Sequence, residues 1–381
     1  MIEPESHQRL RRAISEQVGA DRHVLDVLRE EIRVLRPQVR RIQPRTTTSI
    51  SLVGADGGNN ALQFDPFLVQ LIRVVDSSNN EYCLEAITPT MDVIRLSEVQ
   101  FGRDGDGPTA LGQLMRDLGV ADLPHLSPMI RPNDGDRPIR PSWVQVYREL
   151  VEWAVLYAVV KNKQFGTDTL IVYDGLLRSK VFAMELFKKY LDLVKETIER
   201  QYRESRRRIY LVGVAKRSKV LDRYRLAMAI EHVLTTAYPA YVEVPWGLEK
   251  KAYVWPEYAG GSDDEGQNGE GVKFVGGKMF LVKFGSGPRD PIWPIDIFLP
   301  QRDQAQMILG YLLADAIDGF PVPLYPRCLQ KAHENAALVD FDFDVLQDEV
   351  FSGIRTVLGT DAPVLDAFRL QDGDPAQARY S

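Results

Sequence analysis

Two carboxylates that follow apolar runs are the residues of this sequence best placed to do chemistry. Residues 169–173 read Thr-Leu-Ile-Val-Tyr and are followed by Asp174 and Gly175. This β-branched, apolar composition predicts a buried strand that ends at Asp174. An earlier run, residues 49–55, ends in the same way at Asp56, which two glycines follow. Ligands bind at the carboxyl ends of strands in open sheets, so two aspartates at such ends suggest a metal site.

Two further acids lie on a helix that precedes the second of these strands. The helix is predicted to start at Ser142, a favourable N-cap residue, and its apolar pattern extends to Tyr157. It carries Glu149 and Glu152. Either glutamate could add a third carboxylate to the two strand-end aspartates.

A cation and an imidazole complete the candidate set. Residues 209–215 form another apolar run, and the predicted strand ends just before Lys216. Because a helical pattern separates this run from the strand of Asp174, the two strands are predicted to be parallel and joined by a crossover helix. His333 lies on a later predicted helix, residues 325–338.

This combination of residue types suits phosphoryl transfer. Hard divalent ions such as Mg²⁺ and Mn²⁺ prefer oxygen ligands with an occasional imidazole, and three acids plus one His would satisfy two ions. One ion would lower the pKa of a water molecule and the other would stabilise the leaving oxygen. Lys216 could then neutralise the phosphate under attack.

Each candidate also has a purely structural interpretation. An Asp-Gly pair after a strand most often forms a turn, and a glutamate on an amphipathic helix most often belongs to its solvated face. His333 could be a hydrogen-bonded structural residue, and Lys216 a solvated charge at a strand end. The recurrence of such residues at strand ends far apart in the sequence is what favours a shared site.

Composition limits the class of protein. The 381 residues are 44% apolar and 26% charged, which is typical of a soluble globular protein with one large core or two modest ones. No apolar stretch approaches the ~18 residues of a membrane span, and no basic-then-apolar leader begins the chain, so a cytoplasmic location is expected. Cys83 and Cys328 are too few for a thiolate cage, which leaves oxygen or imidazole as metal ligands.

Basic residues are concentrated in one part of the chain. The net charge of −6 argues against nucleic-acid binding, but residues 200–225 contain ten Lys or Arg against two acids. Local basic clusters hold a phosphate backbone whatever the net charge is. The alternative is that the arginines cap the negative end of a helix. Five basic residues are candidates to guide a nucleic-acid strand: Arg206, Arg207, Arg208, Lys216 and Lys219.

The remaining patterns predict an α/β fold with a helical arm. Helical periodicity up to about residue 37, broken near Gly19, predicts the arm. Two hairpins are expected, residues 67–75 with 81–88 and residues 278–284 with 292–299. A helix is expected at residues 301–317, before the one that carries His333.

The expected domains follow from these patterns. Residues 1–45 form the helical arm, residues 46–358 the α/β domain, and residues 359–381 a polar, disordered tail. The Gly-rich segment 260–271 is predicted to be a mobile loop inside the α/β domain.

Five motifs, taken in order, resemble the NurA nuclease family. They are Val-Gly-Ala-Asp56-Gly-Gly, Arg148-Glu-Leu-Val-Glu152, Leu-Ile-Val-Tyr-Asp174-Gly-Leu-Leu, Val-Gly-Val-Ala-Lys216-Arg-Ser and Tyr325-Pro-Arg-Cys-Leu-Gln-Lys-Ala-His333. The resemblance spans about residues 49–338 and rests on the order of the motifs, the Asp-Gly strand ends and the closing Tyr-Pro to Ala-His helix. A Gly-Gly pair follows Asp56 where Gly-Ser is more usual, and Glu149 competes with Glu152 for the helical position.

The resemblance implies a fold, an activity and partners. The fold would be a ribonuclease H-like mixed β-sheet core flanked by helices, in a homodimer. The activity would be a DNA nuclease that uses Mn²⁺ or Mg²⁺, with two ions expected, and degrades ends in the 5′ to 3′ direction; cleavage within single-stranded DNA is a further expectation. The partner would be a HerA-type hexameric ATPase that translocates DNA, and the role would be DNA end resection and repair, or phage defence.

The family's site residues fall on positions already singled out. Asp56, Glu152, Asp174 and His333 match the metal-site positions, with His333 either a ligand or a residue that orients water. Lys216 matches the lysine that would contact the scissile phosphate. Two rivals stand beside the nuclease: a catalytically degenerate adaptor that docks on a DNA translocase, and an RNA-directed ribonuclease with the same core.

Overall fold

A computed structural model describes residues 3–45, 50–64, 67–102, 107–131, 142–255, 273–337 and 340–361. The side chains of residues 50–64, 67–68, 340–344 and 361 are outside this description. The Gly-rich segment 260–271 and the tail from residue 362 onward also lie outside the described residues, so both predictions stay untested.

A 9-stranded mixed sheet in the order β1-β7-β8-β9-β6-β5-β2-β3-β4 forms the centre of the described structure. Its strands are β1 Arg40–Arg41, β2 Ile50–Phe64, β3 Phe67–Asp76, β4 Glu81–Ile87, β5 Asp168–Asp174, β6 Ile209–Val214, β7 Ala240–Glu243, β8 Gly277–Lys283 and β9 Ile292–Phe298. The predicted hairpins β3–β4 and β8–β9 are confirmed as antiparallel pairs.

The helices, in chain order, are α1 Pro4–Ala20, α2 Arg22–Arg33, α3 Val93–Gln100, α4 Ala110–Leu118, α5 Leu123–Leu126, α6 Ser142–Asn162, α7 Leu186–Ser205, α8 Lys219–Ile230, α9 Trp246–Ala252, α10 Ala305–Ile317, α11 Arg327–Ala336 and α12 Asp340–Leu358. The predicted mixed α/β fold is therefore confirmed. None of the helices in the described ranges is both long and apolar enough to span a bilayer.

Three parallel strands lie in the middle of the sheet. β5 pairs in parallel with β2 on one side and with β6 on the other. The parallel pairing with β6 was predicted from the two apolar runs and the intervening helix α7. Every residue of β6 is buried, and so are the central five of β5. Continuous apolar runs of this kind are expected where both faces of a parallel sheet are covered.

Helices cover both faces. On one face, α3 to α7 pack on alternate residues of β3 and β5, such as Ile72 and Tyr173. On the other face, α10 and α11 pack on the residues between them, such as Leu170 and Val172. Successive strand residues point to opposite faces, so neighbours in the sequence serve different cores. A third cluster joins α2, α8 and α9 to β7 and β8.

Strand β2 is longer than the sequence predicts. Residues 49–56 were expected to form a strand that stops at Asp56, but β2 continues to Phe64. Only the parallel pairing with β5 stops near this point, at Ala55, while the antiparallel pairing with β3 runs on past Asp56 to the end of the strand. The two glycines after Asp56 do not break the strand, because β3 supplies hydrogen bonds across them.

The two ends of the described chain also depart from the sequence patterns. The helical arm breaks at Asp21, close to the predicted Gly19, but β1 pairs with β7 and thus joins the arm to the sheet. α12 was not predicted. Its start reads Asp-Phe-Asp-Phe-Asp, an alternation typical of a strand and not of a helix.

Asp76, at the end of β3, holds the neighbouring turn and helix in place. Its buried carboxylate accepts hydrogen bonds from the Asn80 side chain at 2.7 Å, from Tyr82 Oη at 2.9 Å and from Lys163 Nζ at 3.1 Å. Its main-chain oxygen accepts one from Asn335 Nδ2 at 3.2 Å, which ties the end of α11 to β3. Burial raises the pKa of Asp76, but the hydrogen bonds outweigh burial and leave the pKa below its usual value.

Replacing Asp76 by Ala should destabilise the fold by about 2 kcal/mol at neutral pH, because Asn80, Tyr82 and Lys163 lose an acceptor in a buried place. A depressed folded-state pKa contributes stability above the unfolded value that is lost as the pH falls through the folded value. The difference between wild type and Asp76→Ala in urea unfolding should therefore shrink from pH 7 to pH 3. Asp303→Ala, at an exposed carboxylate, is the control, and an equal effect at both sites would contradict this account.

Candidate active site

Three side chains from distant parts of the sequence meet at the carboxyl end of β5. Asp174 is the last residue of the strand. Its Oδ2 accepts a hydrogen bond from Lys216 Nζ at 3.3 Å, and its Oδ1 accepts one from Tyr325 Oη at 3.1 Å. The Asp174 side chain is 16% exposed and that of Lys216 is 55% exposed, so the pair can be reached from solvent.

Asp56 lies level with Asp174 in the sheet. Ala55 pairs with Tyr173 across the parallel strands β2 and β5, and each aspartate is the next residue of its strand. The side chain of Asp56 is outside the described residues, so the register is what relates the two positions. The sheet therefore brings together two backbone positions that are far apart in the sequence.

α11 brings His333 to the same region. The helix packs against β2, β3 and β5. Asn335, two residues after His333, is hydrogen-bonded to the main chain of Asp76, which pairs with Ala55 of β2. His333 is thus near the level of Asp56 on the sheet, and its side chain is exposed.

The two helical glutamates approach this edge from the opposite face of the sheet. Glu152 accepts a hydrogen bond from Tyr173 Oη at 3.2 Å and is paired with Arg148 at 3.3 Å. Glu149 accepts a short bond of 2.6 Å from Ser179 Oγ in the loop after β5. Burial, followed by the charges of Glu152 and Glu149, raises the pKa of Tyr173 well above its usual value, so this hydroxyl stays protonated and remains a donor.

The basic residues predicted to guide DNA lie at two different edges. Lys219 begins α8, three residues after Lys216, and is exposed at the same edge as the site. Arg206, Arg207 and Arg208 instead precede β6 and lie at its opposite end, where the Arg208 amide is bonded to Asp168 at 2.9 Å. Six residues of strand separate the two ends, about 20 Å, so the three arginines do not join the site around Asp174.

Tyr325 is a site residue that the sequence analysis did not single out. It belongs to the Tyr-Pro motif that begins the closing helix, but only His333 of that motif was assigned a role. Its ring packs edge-on against Trp293 with the centroids 4.8 Å apart, and Lys216 Nζ lies 5.7 Å from its centroid. The sequence shows only a tyrosine at the start of a predicted helix, which by itself does not reveal a carboxylate partner.

A buried charge cluster fixes the loop that follows Asp174. Arg178 donates two hydrogen bonds to Asp296, at 2.7 and 2.9 Å, and one to Glu249 at 2.6 Å. Both carboxylates are 0% exposed. Gly213 allows this loop to lie directly on β6, because a Cβ there would collide with the main chain of Gly175.

Glu249 is the least satisfied member of this cluster. Its Oε1 is buried and accepts no hydrogen bond from the described residues. Burial raises the pKa of Glu249 to about 7, although the Arg178 guanidinium acts in the opposite direction. Arg178 lies only four residues after Asp174. Nothing in the sequence indicated that it would be buried with acids from α9 and β9.

The described part of the site suits a cation with oxygen ligands. Asp174 is contacted by an exposed ammonium at 3.3 Å, a long bond that a divalent cation could replace. Among the described side chains, which exclude that of Asp56, no group of three or more His, Cys, Asp or Glu residues is close enough to hold a metal ion.

No protein-family model matches the chain, and no curated protein matches it in sequence. Several solved structures, however, do match the chain. The neighbours are NurA nucleases. One is the NurA nuclease from Sulfolobus solfataricus, with 12% identity and a TM-score of 0.46 over 94% of this chain and 99% of that one. A second NurA structure has 13% identity and a TM-score of 0.47 over the same shares.

A third neighbour is a NurA bound to dAMP and manganese, with 12% identity and a TM-score of 0.36 over 89% of this chain and 94% of that one. The family that the sequence motifs resemble thus recurs among the structural neighbours. At these identities and TM-scores the likeness carries no argument about individual residues, whose roles rest on the contacts within this chain.

Glu249→Gln should make the stability less dependent on pH. A raised folded-state pKa means that the folded chain binds more protons than the unfolded chain between about pH 4.5 and 7, so the free energy of unfolding falls as the pH rises through this window. A neutral glutamine removes that fall. Urea unfolding of both proteins between pH 4.5 and 8 measures it, with exposed Glu196→Gln as the control. An unchanged slope in Glu249→Gln would refute the prediction.

Proposed function

We propose that this chain is a metal-dependent DNA nuclease that hydrolyses phosphodiester bonds. The observation that carries the proposal is the Asp174 carboxylate at a strand end, contacted by Lys216 at 3.3 Å and Tyr325 at 3.1 Å and level with Asp56. A cation beside carboxylates at an accessible sheet edge suits a reaction whose catalysis is mainly positioning and charge stabilisation. The order of the five sequence motifs supports the same chemistry.

Carboxylates from both faces of the sheet would hold the metal. Asp56, Asp174 and Glu152 are the proposed ligands for Mn²⁺ or Mg²⁺, with two ions expected, and His333 is a ligand or orients a water molecule. When bound, such ions supply a water of lowered pKa and neutralise charge on the leaving oxygen. Carboxylate oxygens and an imidazole nitrogen are the ligands that these ions accept.

Lys216 and Tyr325 have separate tasks in this proposal. The Lys216 ammonium is exposed and flexible, so it can leave Asp174 when a metal binds there and neutralise a non-bridging oxygen of the scissile phosphate. The Tyr325 hydroxyl donates to Oδ1 of Asp174 and keeps that carboxylate in one orientation. Trp293 packs on the Tyr325 ring and limits its movement.

The finer features of the proposed function follow from the resemblance of the five sequence motifs to the NurA nuclease family. We propose a ribonuclease H-like core, a homodimer and 5′ to 3′ degradation of DNA ends, with cleavage within single-stranded DNA as a further activity. The proposed partner is a HerA-type hexameric ATPase that translocates DNA. The role would lie in end resection and repair, or in phage defence.

Asp174→Asn should reduce cleavage by about 10³-fold or more, because it removes a charged ligand without changing the volume of the side chain. The measurement is degradation of end-labelled single- and double-stranded DNA, with RNA of the same sequence alongside, in Mn²⁺, Mg²⁺ or EDTA. Wild type should cleave DNA only with metal.

The matched control is Asp168→Asn, at the other end of the same strand, which should cleave as wild type does. Circular dichroism establishes that both variants fold. Cleavage by Asp174→Asn at the wild-type rate would reject the assignment. An inert wild type, with or without the ATPase, would favour the adaptor, and preferential degradation of RNA would favour the ribonuclease.

The same assay separates the two helical glutamates. Glu152→Gln should raise the Mn²⁺ concentration needed for half-maximal cleavage about tenfold or more, because a metal ligand loses its charge. Glu149→Gln should not, since a glutamine oxygen still accepts the bond from Ser179. The reverse result would assign the metal to Glu149.

A further inference from the structure

The segment between α10 and α11 exposes apolar side chains next to the candidate site. Phe320 is 82% exposed, Val322 is exposed in the same segment, and so is Ile317, the last residue of α10. Water disfavours such a cluster, and a connector that only joined two helices would not need a phenylalanine ring in solvent.

This segment is held rigidly. The side chain of buried Gln330 donates to the main-chain oxygens of Val322 and Tyr325, both at 2.9 Å, and accepts from the Val322 amide at 2.7 Å. Gly319 lies so close to the main chain of Tyr325 that a Cβ there would collide with its carbonyl oxygen. Phe320 is therefore presented from a fixed backbone, which reduces the entropy cost of binding.

The segment ends inside the site. Tyr325 closes it and donates to Asp174 at 3.1 Å. Leu324, the residue before, accepts a hydrogen bond from Trp293 Nε1 at 2.5 Å. The main chain of Gly319 lies against the main-chain carbonyl of Tyr325, the residue whose hydroxyl contacts the Asp174 carboxylate, and Phe320 follows Gly319 directly.

The elements that form the candidate site carry exposed cations suited to a polyanion. Lys216 and Arg217 are exposed at the end of β6, and Arg327 and Lys331 are exposed on α11. Single-stranded nucleic acids bind where cations follow the backbone and aromatic rings stack on the bases. The same segment also contains an exposed carboxylate, Asp318, directly after the end of α10.

We infer that Phe320 is a stacking platform for an unpaired nucleobase of the strand whose phosphate lies at Asp174. The inference rests on the proposed nuclease function and deepens it. Bases in a duplex are already stacked on each other, whereas unpaired bases offer a free face to a protein ring. The substrate class is therefore single-stranded DNA, or the frayed end of a duplex.

The first test is binding of a fluorescein-labelled single-stranded oligonucleotide in EDTA, followed by fluorescence anisotropy. Phe320→Ala should raise the Kd roughly tenfold, about 1.4 kcal/mol and within the range measured for one base stack. Phe320→Trp should keep or improve the affinity, and Phe320→Leu should weaken it as Ala does. Equal affinities for wild type and Phe320→Ala would overturn the inference.

The control is Met184→Ala, because Met184 is 81% exposed and precedes α7 on the other face of the sheet. It should bind as wild type does. A loss of affinity in Met184→Ala as large as that in Phe320→Ala would mean that exposed apolar area in general, and not this ring, binds DNA. That result would also overturn the inference.

The second test moves an abasic site along the oligonucleotide. If one base stacks on Phe320, its removal should weaken binding to wild type and have little further effect on Phe320→Ala, as in a double-mutant cycle. Equal losses in both proteins at every position would contradict stacking.

Cleavage, measured separately on the same proteins, distinguishes the inference from the function beneath it. Loss of binding in Phe320→Ala with no cleavage by any protein would refute the nuclease and retain the platform. Unchanged binding with metal-dependent cleavage would refute the platform and retain the nuclease.

Discussion

The parallel register of β2, β5 and β6 is the constraint on which the candidate site depends. It sets Asp56 and Asp174 at the same level on adjacent strands and delivers Lys216 just beyond the third. A shift of one residue in either pairing would turn a carboxylate to the other face of the sheet, because side chains alternate along a strand. Burial of both faces makes such a shift costly, since the apolar residues of β5 would exchange cores. The packing that stabilises the sheet thus also determines the geometry of the site.

The buried charges around Arg178 add a second constraint. Asp296 and Glu249 come from β9 and α9, and their joint contact with Arg178 ties the loop after Asp174 to the antiparallel half of the sheet. A buried ion pair contributes little net stability, because desolvation offsets most of the attraction. Its geometry is nevertheless specific, and the Arg178 guanidinium accepts few alternative arrangements of the two carboxylates. The cluster therefore fixes the direction in which the chain leaves β5.

The third constraint is the closing helix α11, which crosses the sheet from the region of Asp174 to that of Asp76. Tyr325, before its start, contacts Asp174, and Asn335, near its end, is bonded to Asp76 of β3. His333 lies between them. The closing helix also holds the connector that exposes Phe320 through hydrogen bonds. The tyrosine that contacts Asp174 and the ring proposed to contact a base therefore belong to one continuous piece of chain. Movement of this piece would alter both together.

The sequence by itself determined the local elements and most of the candidate residues. Apolar runs identified β5 and β6 and their parallel crossover, because continuous burial leaves a clear pattern in composition. Asp174 and Lys216 were found because they interrupt such runs. The length of β2 was not predictable, since the strand persists past Asp56 only through its pairing with β3, and the alternating start of α12 has the wrong period for a helix. The tertiary structure alone decided that Tyr325 contacts Asp174 and that Arg178 is buried with acids from two other elements. Each of these depends on contacts between residues tens to more than a hundred positions apart, and the register and packing that create such contacts have no counterpart in local sequence.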